Sequence, residues 1–380
     1  MKLIEGNELE FECNGKEFAT TLSNIINVTT YIKADDAKFV LATQKGKGIY
    51  LIGSSTDALA CAKIPGEATK SGTVKIDAPT LIGLLKTRAD CLFKTGGGQI
   101  AFKEKKGNFK AQLNVTEFDA DDIQMLEHQL VGRKTDPMPK DVVTKLRDAV
   151  KRVRLTDFYG ASELPIIFEI GEKIMRVYCH DEHHVALFKT KVKNSTPLKS
   201  ALPAKAFSVI EKFIQADKIS FSVDSGRFRA TGADFTVSIP EGQLIYGEVG
   251  QAVQYNKALD EMKVMSAMTF DTKAVSAVSN MSVLSDGETK MALAFSKGKT
   301  IMSVQGKGGK VSDEFKANVT GKPMDIRVDP RIFMDLFNKV SGIEIDMNFY
   351  KVPGAMSAYR LVTKVDDGTL TLVGTYDEAK

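Results

Sequence analysis

No run of eighteen apolar residues occurs in this 380-residue chain, which excludes a membrane-spanning helix of ordinary length. Residues Met1 to Glu10 mix acids with apolar side chains, where a secretory leader would place bases before an apolar core. The expectation is a soluble, cytoplasmic protein. Cysteine is scarce: Cys13, Cys61, Cys91 and Cys179 stand tens of residues apart, which suits neither a disulfide framework nor a paired-cysteine zinc or redox site. Buried free thiols are expected. The formal net charge of +4 is slight for this length and does not by itself point to nucleic acid. The G-x-S-x-G nucleophile elbow is missing, and no pair of carboxylates is singled out by spacing. Gly298-Lys299-Thr300 ends like a phosphate loop, but Leu293 stands where that motif needs glycine, so it reads as a hairpin turn.

What is present is a globular composition, 43% apolar and 26% charged, and a pattern repeated three times. The segment Ile76-Asp77-Ala78-Pro79-Thr80-Leu81-Ile82-Gly83-Leu84-Leu85 recurs as Leu202-Pro203-Ala204-Lys205-Ala206-Phe207-Ser208-Val209-Ile210. It recurs again as Val328-Asp329-Pro330-Arg331-Ile332-Phe333-Met334-Asp335-Leu336. The three copies begin at 76, 202 and 328. Each ends a short apolar strand, turns on Asp or Pro, and opens a helix with large apolar residues three and four apart. A repeat of this length implies like units that pack against one another. The expected domains are 1–127, 128–250 and 251–380, with linkers near Asp121 to Pro139 and Gly247 to Asn256, where the strand pattern lapses.

Each unit reads as a helix followed by strands, twice over. In the first, Phe18, Leu22, Ile25 and Ile26 mark a helix, and another is expected over Pro79 to Lys86. In the second, the helices are Asp141 to Val153 and Ala204 to Ile214; in the third, Lys273 to Leu284 and Pro330 to Val340. The short alternating strands between them predict an α+β fold, with two helices per unit lying on antiparallel sheets. Lys45-Gly46-Lys47-Gly48, Gly171-Glu172-Lys173 and Lys297-Gly298-Lys299 are equivalent hairpin loops, where glycine allows positive φ. Strand edges left at the ends of units invite pairing across every boundary, and pairing of the chain ends would close a ring.

Charge is unevenly spread. From Leu130 to Arg154 eight bases face three acids, an excess larger than that of the whole chain. The cluster His180, Asp181, His183 and His184 contains ordinary zinc ligands. Adjacent strand residues point to opposite faces, however, so His183 and His184 could share a site only in a turn. No metal or other cofactor is expected.

In repeat length, repeat number and element order the chain resembles the bacterial-type DNA sliding clamp, the β subunit of the replicative DNA polymerase, as a divergent member of the kind a phage could encode. Arg176-Val177-Tyr178-Cys179-His180-Asp181-Glu182-His183-His184-Val185-Ala186-Leu187 resembles the family's strand-turn-strand with a Thr-Asp-Gly-His-Arg-Leu core. Asp181, His183 and Val185 match; His180, Glu182 and His184 replace the Thr, Gly and Arg. Glu241-Gly242-Gln243-Leu244-Ile245 resembles the family's Asp-Gly-Arg-Phe-Pro, without its proline. Met281-Ser282-Val283-Leu284-Ser285 resembles the apolar helix end of its subunit interface.

The resemblance implies a non-enzymatic processivity factor. It would encircle double-stranded DNA as a head-to-tail homodimer and tether DNA polymerase and clamp loader, with no membrane partner. The implied peptide cleft uses His180, His183, Val185, Ile245, Leu372, Val373 and Tyr376, beside a tail Asp377-Glu378-Ala379-Lys380. The implied interface uses Val283 and Leu284 opposite Phe109. Helices on the inner wall would offer Lys86, Arg88, Lys140, Arg147, Lys151, Arg152, Arg154, Lys205, Lys212, Lys273, Arg331 and Lys339 to phosphates, and Phe158 and Tyr159 match a DNA-touching loop. For any single lysine a solvated helix face is the competing reading. The alternative for the whole chain is a repeat protein that binds nucleic acid without sequence specificity and without closing a ring.

Overall fold

The computed structural model describes residues 3–4, 6–31, 35–117, 120–130, 135–154, 164–180, 184–214, 218–242, 256–271, 290–296, 298–306, 309–328, 344–351 and 357–378. In chain order the elements are β1 (Glu10–Asn14), α1 (Gly15–Thr29), β2 (Lys38–Gln44), β3 (Gly48–Ser54), β4 (Leu59–Ile64), β5 (Gly66–Lys70), β6 (Gly72–Lys75), α2 (Ala78–Leu85), β7 (Asp90–Gly96), β8 (Gln99–Glu104), β9 (Lys110–Asn114), β10 (Thr116–Glu117) and α3 (Ala120–Leu130). They continue with α4 (Lys140–Val153), β11 (Pro165–Ile170), β12 (Ile174–His180), β13 (Val185–Lys191), β14 (Leu198–Pro203), α5 (Ala204–Ile210), β15 (Ser220–Asp224), β16 (Arg227–Thr231) and β17 (Phe235–Pro240). The last are β18 (Ser266–Asp271), β19 (Met291–Ser296), β20 (Lys299–Gly306), β21 (Gly309–Phe315), β22 (Ala317–Gly321), β23 (Met324–Val328), β24 (Glu344–Tyr350), β25 (Ser357–Val365) and β26 (Gly368–Glu378). All strand pairings are antiparallel, giving an α+β fold.

Two compact units emerge: Met1–Val143 with Lys205–Glu241, and Thr144–Ala204 with Gly242–Lys380. The cut runs through the middle repeat, because sheets continue across the repeat boundaries. In the first unit one sheet has the order β5-β1-β7-β8-β9 and another β10-β6-β2-β3-β4-β17-β16-β15. The step from β4 to β17 joins first-repeat to second-repeat residues, pairing Leu59 with Ser238 and Ala62 with Phe235. The second unit is built on a thirteen-stranded sheet, in which β13 meets β26 from Val185 opposite Val373 to Thr190 opposite Gly368.

Local chemistry explains the helices. Asn14 caps α1 by accepting from the Glu17 amide at 3.2 Å, and Phe18, Leu22 and Ile25 put one buried stripe on the sheet. That helix lies so close that a Cβ on Gly53 would fall 2.5 Å from Ile25 Cγ2. Asp77 accepts from the Thr80 amide at 3.4 Å and the Thr80 hydroxyl at 2.6 Å, with Pro79 in the first turn, where its missing N–H costs nothing. Phe11, Phe93 and Phe102 stack through the core of the first unit, with centroid spacings of 4.5 and 5.3 Å, and Phe109 follows Phe102 at 6.0 Å.

Three expectations change. The lapse at 121–139 is in part a helix, α3, whose Ile123 and Leu126 are buried against the sheet. Gly46 and Gly298 take positive φ in their hairpins (70° and 87°), but Gly171, the first residue of its loop and not the second, is not among the positive-φ glycines. The helix expected to Ile214 ends as α5 at Ile210 and continues as turns. The helices expected over 273–284 and 330–340 lie outside the described residues.

Candidate peptide cleft, basic helices and strand edges

The strand register of the second unit brings three of the expected cleft residues, His180, Val185 and Val373, into one row. His180 opposes Val185, Val185 opposes Val373, Val373 opposes Arg360, and Arg360 opposes Asn348, so one row crosses five strands on one face. On this face Val373, Tyr350, Ala358 and Leu259 form a buried apolar cluster, with Val185 and Met262 half-buried against it. Leu259 comes from a helical turn at 256–261. Farther along the sheet Ile167, Tyr178 and Ala201 continue the apolar surface, with Leu187 half-buried beside them.

Leu372 and Tyr376 belong to the opposite face of β26, since side chains alternate along a strand. Both are buried; the Tyr376 ring meets Phe349 edge-on at 5.7 Å and its hydroxyl donates to the Tyr350 carbonyl at 3.3 Å. They lie behind the Val185–Val373 row, on the other face of the sheet. His183 and Ile245 lie outside the described residues, as does Asp181.

Sequence reading missed Arg360, which shares the row with Val185 and Val373. Its guanidinium pairs with Asp260 and lies 5.5 Å from the centre of the Tyr350 ring. Burial pushes the Tyr350 phenol above its usual pKa, against the pull of the Arg360 charge. The alternation of Ala358, Arg360 and Val362 was the available signal, but it gives a face without saying whether that face is open.

The basic residues fall into two groups. Lys86, Lys151, Arg154, Lys205 and Lys212 are exposed, as is Lys140. Arg152 is engaged instead: it pairs with Asp366 at 2.6 Å and lies 5.4 Å from the Phe188 ring centre, while neighbouring Lys145 pairs with Asp367. A hydrogen bond from Lys145, assisted by one from Thr190 at 3.0 Å, holds the Asp367 carboxyl below its usual pKa. Arg147 is half-buried on α4. Phe158, Tyr159, Lys273, Arg331 and Lys339 lie outside the described residues.

Arg88 and Phe109, assigned by sequence to different surfaces, touch. The guanidinium sits 3.9 Å over the Phe109 ring and 3.8 Å from Glu104. Phe109 directly precedes β9, which ends the five-stranded sheet, while β21 ends a branch of the thirteen-stranded one. Val283 and Leu284 lie outside the described residues.

The four thiols are free and buried. Burial is the main cause that raises Cys61 to about 12 and Cys91 to about 11, so both stay protonated and unreactive near neutrality.

No model of a known protein family matches the chain, and no curated protein sequence does. Solved structures do match. The DNA polymerase sliding clamp of Bacillus subtilis superposes with a TM-score of 0.77 at 15% identity, covering 98% of this chain and 100% of that one. DNA polymerase III β subunit of Thermotoga maritima gives 0.76 at 13% identity, over 98% and 100%. The β subunit from the DNA polymerase of Streptococcus pyogenes gives 0.77 at 12%, over 97% and 100%. Element order, antiparallel sheets and end-to-end coverage at this level give the chain the fold of the DNA polymerase III β subunits, the sliding clamps.

Proposed function

We propose that the protein is a polymerase processivity factor: a non-catalytic clamp of three domains, 1–127, 128–250 and 251–380, that closes around duplex DNA as a head-to-tail homodimer. The observation that carries this reading is the bookkeeping of junctions. By the repeat step, β4, β13 and β21 are equivalents, starting at residues 59, 185 and 309, and β9, β17 and β26, starting at 110, 235 and 368, are matching strands late in each repeat. The pairs β4–β17 and β13–β26 are made. Among the described residues the third pair, β9 with β21, is not made, and each strand ends its sheet. An unpaired edge seeks a partner, and β9 of one chain with β21 of another repeats the junction already made twice. Lys110 on β9 and Lys103 on its neighbour β8 complement Asp313 and Glu314 on β21. Phe109 beside β9, with Val283 and Leu284 opposite, would supply the apolar part of the contact.

In such a ring, topology holds the DNA and the contacts with it stay weak. Lys86, Arg147, Lys151, Arg154, Lys205 and Lys212, together with Lys273, Arg331 and Lys339, meet phosphates without reading bases, so binding is sequence-independent and salt-sensitive. Arg88 and Arg152 contribute mainly through their protein contacts; Phe158 and Tyr159, in the sequence after α4, contact the duplex. Polymerase and clamp loader dock an extended peptide in the cleft around Val185 and Val373. The protein works without cofactor in the cytoplasm, the host's if a phage encodes it. Negative-stain images of the purified protein, with native mass spectrometry, test the reading. Two-chain rings with six lobes are expected; three-lobed open particles at every concentration would overturn it.

A further inference from the structure

The face of the second unit's sheet that turns away from α4 carries a basic row used by neither the cleft nor the helices. Phe188 on β13 meets α4, where Arg152 lies 5.4 Å from its ring centre, so alternation sends Lys189 and Lys191 to the opposite face. Across six strands the register on that face reads Lys199, Glu169, Arg176, Lys189, Thr369 and Lys364, four bases and one acid. At about 4.8 Å per strand step the row spans about 24 Å. Its acid is already engaged: Glu169 accepts from Lys199 at 2.9 Å and from the Tyr178 hydroxyl at 2.5 Å. Lys173 and Lys191 widen the row, lining with Lys189 and Thr190 a cavity of about 490 Å³. Asp367 also borders it, but Lys145 and Thr190 hold that carboxylate. Lys173, Lys189, Lys191 and Lys364 are exposed and make no ion pair among the described residues.

The fold does not require these charges. Arg176 stands directly opposite Lys189, and like charges so placed destabilise a sheet. One repeat step earlier the same two positions are Tyr50 opposite Lys63, while Lys191 and Lys199 become Pro65 and Thr73. A polyanion would relieve the repulsion. Ile4, Leu92, Met125 and Val264 are the exposed large apolar side chains of the described residues, and none belongs to these strands. A protein partner would therefore find no anchor here, and a single strand of nucleic acid no exposed aromatic on which to stack its bases. A duplex backbone, with phosphates at regular steps, needs only the line of bases. We propose that this face is a second, sequence-independent site for double-stranded DNA, with Arg176, Lys189, Lys191 and Lys364 on phosphates, separate from the helical bases and independent of ring closure.

Filter binding of the protein to covalently closed circular duplex tests this, since a circle has no end to thread through a closed ring. Lys189→Glu with Lys191→Glu is expected to weaken circle binding about tenfold at about 50 mM salt. The same pair should lower the slope of log affinity against log salt by about two. Lys47→Glu with Lys63→Glu, an equal charge change at exposed positions of the first repeat, should shift the affinity by less than about twofold. Equal weakening by both pairs would reduce the effect to net charge and overturn the site. Circle binding that survives Lys189→Glu with Lys191→Glu would overturn it as well, as would no circle binding at all. Vesicles rich in phosphatidylserine, bound where circles are not, would give the face to a membrane instead. None of these outcomes bears on ring closure, which the images of the purified protein decide.

Discussion

The two completed junctions share a backbone plan and differ in what covers them. Over β4–β17, Leu59 and Cys61 face Ile123 and Leu126 of α3 and Leu3 from the N-terminal segment, in one closed cluster with Val40, Ala42 and Ile52. Over β13–β26, the equivalent Val185 and its opposite Val373 meet only Leu259 and Met262 among the described residues of the connector, and Val185 and Met262 stay half-buried. The roof of the first is also tied down. Asp122 at the start of α3 pairs with Lys75 at 2.8 Å, Glu127 accepts from the Leu3 amide, and Arg229 donates to the Gln129 and Leu130 carbonyls at 3.0 and 3.1 Å. A guanidinium on the last carbonyls of a helix satisfies orphan acceptors and complements the dipole. Among the described residues, then, the first junction is closed into core and the second stays half-open.

The largest test of that contrast is paired truncation. Leu126→Ala should cost about 2–5 kcal/mol in urea unfolding, as a buried core truncation does. Met262→Ala, on the half-open side, should cost under about 1.5 kcal/mol. Equal losses would mean both junctions are roofed alike. Next in size, Arg229→Ala removes two charge-assisted hydrogen bonds and should cost about 1.5–3 kcal/mol, with faster amide exchange over Leu126 to Leu130. Val185→Asp should change the melting temperature little and abolish capture of apolar peptides by the cleft; retained capture would place the site elsewhere. The smallest effect concerns pH. The Lys75 hydrogen bond, then the Lys38 and Lys75 charges, hold Asp122 below its usual pKa against slight burial. A depressed carboxyl stabilises above its unfolded pKa of about 4 and loses that contribution as pH falls through the folded value. The stability gap between wild type and Asp122→Asn should therefore be constant from pH 7 to 5 and close below about pH 4, in melts read by circular dichroism.

The repeat and the strongest helices were legible because they rest on short-range signals. Asp77-Ala78-Pro79 is a helix start readable at sight, and Val143, Leu146, Val150 and Val153 trace one face of α4. What escaped depends on partners distant in sequence. Ile123, Leu126 and Leu130 stand three and four apart, but with few apolar residues around them α3 passed for a lapse between strands. β1 alternates Phe11 and Cys13 inward over only five residues, too short to stand out until it pairs with β5 and β7. The cleft row was half visible: Val185 and Val373 followed from resemblance, whereas Arg360 entered only through the register of β25 with β26. The same limit applied to Arg88, whose contact with Phe109 joins positions on either side of two strands.

The unlike edges β9 and β21 carry a consequence for assembly control. If β9 of one chain pairs with β21 of another, as proposed, neither edge matches itself, and each chain added to an oligomer would consume one free end and expose another of the same kind. In that proposed assembly growth would stop only on closure, so the angle between chains at the new junction would act as the counter of subunits. A substitution that flattened one junction slightly would be expected to produce open filaments of indefinite length, where one that weakened an edge would produce monomers.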